Sequence, residues 1–122
     1  ETIVFAGFTS EPWRAYSEAD VVAMASISEG FPYAVIEAML SGATIVSTDV
    51  GGVKEALGDT GLLVRSSRPV ELAEAILKLL LQPKDERSQL GKRACDRALE
   101  LFTLDRCMEE HLNTYQRLAT HH

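Results

Sequence analysis

The order of apolar runs along this chain is the feature that most restricts its fold. Short runs rich in β-branched residues alternate with segments of helical periodicity, and they lie at residues 2–7, 21–26, 44–49 and 60–65. A continuous apolar run such as residues 21–26 is typical of a strand covered on both faces, and strands that alternate with helices favour a parallel sheet. The sequence therefore predicts an α/β domain with a four-stranded, mostly parallel sheet.

Helices are predicted between and after these strands, at residues 11–20, 32–41, 50–57, 69–81, 84–101 and after Thr103. Proline suits the first turn of a helix and glycine its end, so Pro32 and Pro69 mark starts and Gly42 marks a stop. Thr103 is a suitable N-cap for the last helix. In the last three helices, one apolar stripe is formed by Val70, Ala73, Leu77 and Leu80, the residues expected to face inward are Leu90, Ala94 and Ala98, and a further apolar stripe is formed by Leu104, Met108, Leu112 and Tyr115.

Length, net charge and cysteine content exclude several classes of function. The 122 residues are enough for one domain, and the net charge of −6 is unfavourable for nucleic acid or an anionic membrane. No apolar run reaches the roughly 20 residues that span a bilayer, and no basic leader precedes the first strand. Cys95 and Cys107 lack zinc-ligand spacing and suit a reducing cytosol, so we expect a cytoplasmic protein without a metal. The terminal His121 and His122 are compatible with native residues or with a tag remnant.

Ligands of an open parallel sheet bind outside the carboxyl ends of its strands, where residues 26–33, 47–53 and 65–68 are expected. Glu29 lies in the first of these segments and Gly30 follows it. Glycine lets backbone approach a ligand closely, and the helix that starts at Pro32 offers free N–H groups and a positive dipole end that suit phosphate. The topology therefore predicts a binding site here.

Several readings remain open at this edge. Glu37 sits in a helix that is apolar nearly all round and is expected to be buried, where a carboxylate needs a partner or a polar cavity. The alternative is that Glu37 lies on a thin exposed stripe or caps a neighbouring loop. Phe31 is expected to pack inward. Gly51 and Gly52 are read either as part of the site or as a tight strand-to-helix turn.

Taken in order, these residues resemble the C-terminal half of the family-4 glycosyltransferases, which are retaining enzymes of the GT-B fold. The resemblance is carried by Glu29 and Glu37 with seven residues between them, then Ala38-Met39, Gly42, Gly51-Gly52 and Glu55. It extends from about Val4 to Tyr115. It implies a partial Rossmann-like domain with three α/β/α layers and C-terminal helices.

The resemblance also implies roles for the site residues. Glu29 would be the catalytic residue beside the donor sugar, orienting rather than attacking, and Glu37 would accept hydrogen bonds from the ribose hydroxyls. The remaining donor-binding residues would be Gly30, Phe31, Pro32, Tyr33, Thr48, Gly51 and Gly52. Pro32 stands where many members have glycine, so phosphate contacts are expected to shift to the N–H of Tyr33 or Val35. The family needs neither a metal nor a cofactor.

Parts of the family pattern have no counterpart here: an Arg/Lys pair that clamps the diphosphate, two strands, and an N-terminal domain that holds the acceptor. We therefore expect a single partial nucleotide-sugar-binding domain over residues 1–122, with the sheet region at 1–68 and helices at 69–122, that does not transfer sugar alone. Its partners would be a nucleotide-diphosphate sugar and an unidentified acceptor, whereas nucleic acid is not expected.

Two other functions are compatible with parts of the pattern. The alternative within the same fold is a non-catalytic nucleotide or sugar-phosphate binding module. A receiver-like interaction domain ranks far lower, because residues 7–9 supply no acidic cluster. Because two strands of the family pattern have no counterpart here, the sheet would have a gap or unpaired edges. We expect residues 2–7 to collapse onto the sheet beside residues 21–26, or an open sheet edge to form a homodimer.

Overall fold

A computed structural model describes residues 2–120, and within them it contains six α-helices and three β-strands. In chain order these are α1 (Pro12–Glu18), β1 (Val22–Met24), α2 (Tyr33–Leu40), β2 (Ile45–Thr48), α3 (Val53–Leu57), β3 (Leu62–Val64), α4 (Pro69–Leu80), α5 (Lys84–Leu101) and α6 (Leu104–Thr120). The predicted helices are confirmed, as are three of the four predicted strands. His121 and His122 lie outside the described residues.

The three strands form a parallel sheet in the order β1-β2-β3. The central strand β2 is buried along its whole length, as is typical of a parallel strand covered on both faces. The edge strand β1 differs, because Val22 is buried while Ala23 is exposed. Helix α4 packs against β2 and β3, and Ala23 lies on the uncovered part of that face. The predicted double cover of residues 21–26 is therefore wrong for β1.

Residues 2–7 do not form the predicted fourth strand. They pair with no strand of the described chain, and Ile3, Val4 and Phe5 are 72%, 73% and 96% exposed. The expectation that this run collapses beside β1 is also wrong. β-Propensity reflects packing on neighbours, so a β-rich run without an adjacent strand does not recover the entropy lost on ordering. Dimerisation through a sheet edge stays a prediction.

The hydrophobic core lies between the sheet and helices α2, α3 and α5. Its largest fully buried side chains are Met39, Ile45, Leu57 and Val35. Helix α5 approaches α2 closely because it presents small residues, Gly91, Ala94 and Ala98, and all three are buried. A Cβ on Gly91 would lie 2.1 Å from the carbonyl oxygen of Gly42, so only glycine fits there.

The predicted apolar stripe of α4 faces outward. Val70, Ala73, Leu77 and Leu80 are exposed, whereas Leu79 is buried and Leu72 and Ile76 are half-buried. Helix α4 carries two apolar stripes, and helical periodicity alone does not decide which of them faces the sheet. Within α5, Ala94 and Ala98 face inward as predicted, and Leu90 is half-buried.

Helix α6 forms with the predicted apolar stripe, but the stripe has no cover within the described chain. Leu104, Met108, Leu112 and Tyr115 are all exposed. The hydroxyl of Thr103 accepts a hydrogen bond from the N–H of Arg106 at 3.3 Å, which confirms its capping role. Among the helices of residues 2–120, none has the length and apolar character needed to cross a membrane.

Candidate functional site

Two glycine-containing loops touch at the carboxyl edge of the sheet. One follows β1 and includes Glu29 and Gly30, and the other follows β2 and includes Gly51 and Gly52. The N–H of Gly52 donates to the carbonyl oxygen of Gly30 at 3.4 Å. Gly51 has φ +54°, and a Cβ placed on it would lie 2.0 Å from the carbonyl oxygen of Glu29. The structure thus brings the two predicted site segments into direct backbone contact.

Glu29 is half-buried in the first loop and is held by a short chain of hydrogen bonds. The hydroxyl of Ser26 donates weakly to Oε1 of Glu29 at 3.5 Å. Thr48, at the end of β2, donates in turn to the carbonyl oxygen of Ser26 at 2.6 Å. Thr48 is buried, so it acts on the site by fixing the β1 loop and has little surface for direct contact with a ligand.

The start of α2 points its free amides toward these loops. Pro32 is buried and is the N-cap residue, one position earlier than the first-turn place predicted for it. The N–H of Tyr33 already donates to the carbonyl oxygen of Phe31 at 3.0 Å. No side chain caps this helix, so the amides of Ala34 and Val35 have no intrahelical acceptor. Of the two amides predicted to contact phosphate, Val35 is therefore the better placed donor.

Phe31 and Tyr33 lie on the surface beside the α5–α6 junction. Their rings meet edge to face with centroids 4.8 Å apart, and Phe31 also lies 6.2 Å from the ring of Phe102. The prediction that Phe31 packs inward is wrong, since about half of its surface is exposed. These three rings line a cavity of about 580 Å³ together with Thr103 and residues of α6.

Glu37 is exposed, so the first of the two open readings, a carboxylate buried within an apolar helix, does not hold. The apolar helix accommodates it because Tyr33, Glu37 and Leu40 form one exposed stripe, while Val35 and Met39 supply the buried face. The alternative reading of a thin exposed stripe is confirmed. Helical periodicity separates these two faces, but the uniformly apolar residues around Glu37 conceal the division.

The carboxylate of Glu37 faces a second cavity, about 560 Å³ in volume, between α1 and α2. Trp13 lines the opposite wall. Burial raises the pKa of Tyr16, and the nearby negative charge of Glu37 raises it further. In the sequence, Trp13 and Tyr16 are three residues apart, a spacing that places both on one face of a helix. Their spacing was the available signal, but nothing in it pointed to Glu37.

The third predicted segment, residues 65–68, carries cations that are engaged elsewhere or lie on the surface. Arg65 forms an ion pair with Glu71, and this hydrogen-bonded contact raises the pKa of Arg65 and lowers that of Glu71. Within residues 2–120, no group of three or more His, Cys, Asp or Glu side chains is arranged to hold a metal ion. Cys95 and Cys107 are both free thiols.

Comparisons with known proteins agree with this architecture. The family model described as "Glycosyl transferases group 1" matches residues 1–82. A D-inositol 3-phosphate glycosyltransferase from Nocardia farcinica is 42% identical over 83 residues, which cover 66% of this chain and 18% of that protein. A trehalose synthase from Pyrococcus horikoshii is 35% identical over 102 residues, covering 82% of this chain and 24% of that protein.

Solved structures give the same picture. A sucrose-phosphate synthase from Thermosynechococcus elongatus superposes with a TM-score of 0.77 at 30% identity, covering 88% of this chain and 27% of that chain. A glycosyltransferase from Rickettsia africae superposes with a TM-score of 0.80 at 22% identity, covering 91% of this chain and 30% of the other, and this likeness shows the fold alone. The chain spans about a fifth of the length of the curated relatives, 18% and 24% of the two named above.

Proposed function

Because this chain belongs to the group 1 glycosyl transferases, we propose that it is the donor-binding portion of an enzyme that transfers a sugar from a nucleotide-diphosphate sugar to an acceptor. Within that class we assign it to the family-4 enzymes, with retention at the anomeric carbon and with Glu29 and Glu37 as the paired glutamates. The chain is one partial nucleotide-sugar-binding domain, with its sheet region within residues 1–68 and its C-terminal helices between Pro69 and Thr120. The acceptor is held by a further domain.

The observation that carries this proposal is the backbone contact between the Glu29–Gly30 loop, which leads into α2, and the Gly51–Gly52 turn at the start of α3. The contact places glycine backbone, a half-buried carboxylate and free helix amides at one edge of a parallel sheet. Helix N-termini stabilise phosphate through their amides and dipole, and the carboxyl edge is where such sheets bind nucleotides. The diphosphate of the donor therefore lies against the Ala34 and Val35 amides.

Glu29 orients the donor sugar in this proposal. It is half-buried, and its carboxylate is held from one side by Ser26, which leaves its remaining lone pairs for sugar hydroxyls. Transfer proceeds by front-side attack of the acceptor while the diphosphate leaves, and cationic groups are needed to stabilise that leaving charge. Arg65 is bound to Glu71 and is not assigned that role.

Glu37 binds the ribose. It is exposed on α2 about one and a half turns beyond the helix start, which is a rise of about 7.5 Å from Pro32 at 1.5 Å per residue. A carboxylate at that distance accepts hydrogen bonds from ribose hydroxyls while the phosphates occupy the helix N-terminus. The non-catalytic binding module is disfavoured, because the named relatives are transferases and synthases.

The test is binding of donors to this chain, followed by NMR of its backbone amides. UDP-glucose, GDP-mannose and ADP-glucose are added in turn to the isotope-labelled protein. At least one of them is expected to shift the amides of Gly30, Val35, Gly51 and Gly52. Glu37→Gln should weaken that binding, whereas Glu74→Gln, a matched change at an exposed position of α4, should not.

Two outcomes would contradict the proposal. The first is the absence of amide shifts with every donor. The second is equal binding by the Glu37 and Glu74 variants, which would remove the ribose role. We also propose that the chain alone transfers no sugar, and rapid release of nucleoside diphosphate by the isolated protein would refute that part separately.

A further inference from the structure

The cavity between α1 and α2 has two chemically different walls. Trp13, with Pro12 and Ser17, lines the α1 wall, and Glu37 lies with Leu40 on the α2 wall. Trp13 is the chain's single tryptophan, and it is 52% exposed. The cavity of about 560 Å³ is within the usual size of small-ligand sites.

An aromatic face and a carboxylate on one cavity are complementary to a nucleoside. The carboxylate accepts hydrogen bonds from sugar hydroxyls, and the aromatic ring stacks on the flat face of a base. Base–aromatic stacking contributes about 1–3 kcal/mol for each base and tolerates any base, because every base has a π-face. A cavity that offers both groups suits a nucleoside better than a sugar phosphate, because a sugar phosphate has no base to stack on the ring.

The indole is also held in place before any ligand arrives. The guanidinium of Arg14 lies over the Trp13 ring at 5.2 Å from its centroid, and Arg14 is held in turn by Glu11 at 3.4 Å. Such a cation–π contact fixes the ring and covers one face, while the exposed remainder borders the cavity. Stacking on a ring that is already ordered costs less conformational entropy than stacking on a mobile one.

We propose that Trp13 is the platform on which the nucleobase of the donor stacks. The inference rests on the proposed function, since it extends the ligand laid along α2: phosphates at the helix start, ribose at Glu37, and base across the cavity on α1. Because stacking tolerates any base, Trp13 sets the preference for nucleotides over sugar phosphates and leaves the choice among bases to other groups.

The single tryptophan makes the inference directly measurable. The fluorescence of Trp13 is followed while UDP, GDP, ADP or ribose 5-phosphate is added to the isolated chain. A base stacked on the indole quenches its emission, so the nucleoside diphosphates are expected to quench. Ribose 5-phosphate has the sugar and phosphate without the base, and it is expected to bind without quenching. Amide shifts of Gly51 and Gly52 report binding of all four ligands independently of fluorescence.

Variants separate stacking from a structural role. Trp13→Leu should weaken the binding of nucleoside diphosphates by about tenfold, which corresponds to stacking of the usual strength. The same variant should leave the binding of ribose 5-phosphate within about twofold. Trp13→Phe retains a ring and should recover most of the affinity. Tyr115→Leu, at an exposed aromatic of α6, is the matched control and should bind as the unmodified chain does.

The outcomes distinguish this inference from the function on which it rests. Nucleotide binding without quenching, together with full affinity of Trp13→Leu, would overturn the platform and leave the donor site intact. An equal loss of affinity for ribose 5-phosphate would also overturn it, because Trp13 would then shape the cavity instead of contacting the base. If no nucleotide or nucleotide sugar shifted any amide, both the platform and the proposed donor site would fall.

Discussion

Replacing Gly51 by alanine should destabilise the protein much more than the same change at Gly42. Both glycines have positive φ, +54° at Gly51 and +72° at Gly42, so an alanine pays a similar conformational cost at each, about 1–2 kcal/mol. At Gly42 the added Cβ would meet nothing within 4 Å. Gly42→Ala is therefore a control for backbone strain alone.

At Gly51 the added Cβ would lie 2.0 Å from the carbonyl oxygen of Glu29 and 2.8 Å from its carbonyl carbon. These are backbone atoms, so no side-chain rotation relieves the overlap and one loop must move. Overpacking of this kind costs about 1–3 kcal/mol in addition to the strain. The expected loss is about 1–2 kcal/mol for Gly42→Ala and about 2–5 kcal/mol for Gly51→Ala.

Urea unfolding followed by circular dichroism measures both losses, with the slope m compared to verify that the unfolding transition is the same. Amide shifts in the Glu29–Gly30 loop are expected only in Gly51→Ala, because that variant pushes the two loops apart. Donor binding should likewise fall only there. If the two variants lose the same stability within about 0.5 kcal/mol, a margin near the error of such extrapolated values, the two loops are not in contact and the site as described is wrong.

Three further predictions concern single side chains. In a full-length enzyme that contains this chain, Glu37→Ala should raise KM for the donor with little change in kcat, and a fall in kcat alone would refute the ribose role. Folding holds the pKa of Tyr16 above its value of 10.0 in the unfolded chain, so the stability that Tyr16 contributes is present below pH 10 and is lost as pH rises through the folded-state pKa. Glu37→Gln should lower the pKa of Tyr16 only in part, because burial is the larger cause of the shift. An absorbance titration of the phenol measures this change. Arg97 donates to the carbonyl oxygens of Ala56 and Glu55, both at 2.8 Å, so Arg97→Met should cost about 1.5–3 kcal/mol in urea unfolding, and an unchanged midpoint would mean that water replaces both bonds.

The strands could be predicted from the sequence where a β-rich run also has a neighbouring strand to pair with. The runs at 44–49 and 60–65 became β2 and β3, because each has a parallel partner along its length. The run at 2–7 has equal β-propensity and no partner, so composition alone misjudged it. Short apolar runs report the tendency to be buried, while pairing depends on which strands are adjacent.

The candidate site was predicted through its glycines and only in part through its charges. Gly30, Gly51 and Gly52 lie together as the strand ends required, since the carboxyl ends of parallel strands share one edge. The sequence left burial of Glu37 undecided because its neighbours in the helix are nearly all apolar, whereas α2 faces the core with Val35, Ile36, Ala38 and Met39 only. The role of Thr48 in holding Ser26 depends on tertiary contact and has no local sequence signal.

Helix α5 lies behind both segments that present the site, although it starts at Lys84, beyond the residues that the family model matches. Its small residues pack against α2, and its Arg97 donates hydrogen bonds to the carbonyl oxygens of Glu55 and Ala56 in α3. Helix α5 thus sets the distance between α2, which carries Glu37, and the Gly51–Gly52 turn at the start of α3. Larger side chains on the buried face of α5 would push α2 and α3 apart and widen the site between them. Residues that do not contact a ligand can therefore change the width of the site during evolution.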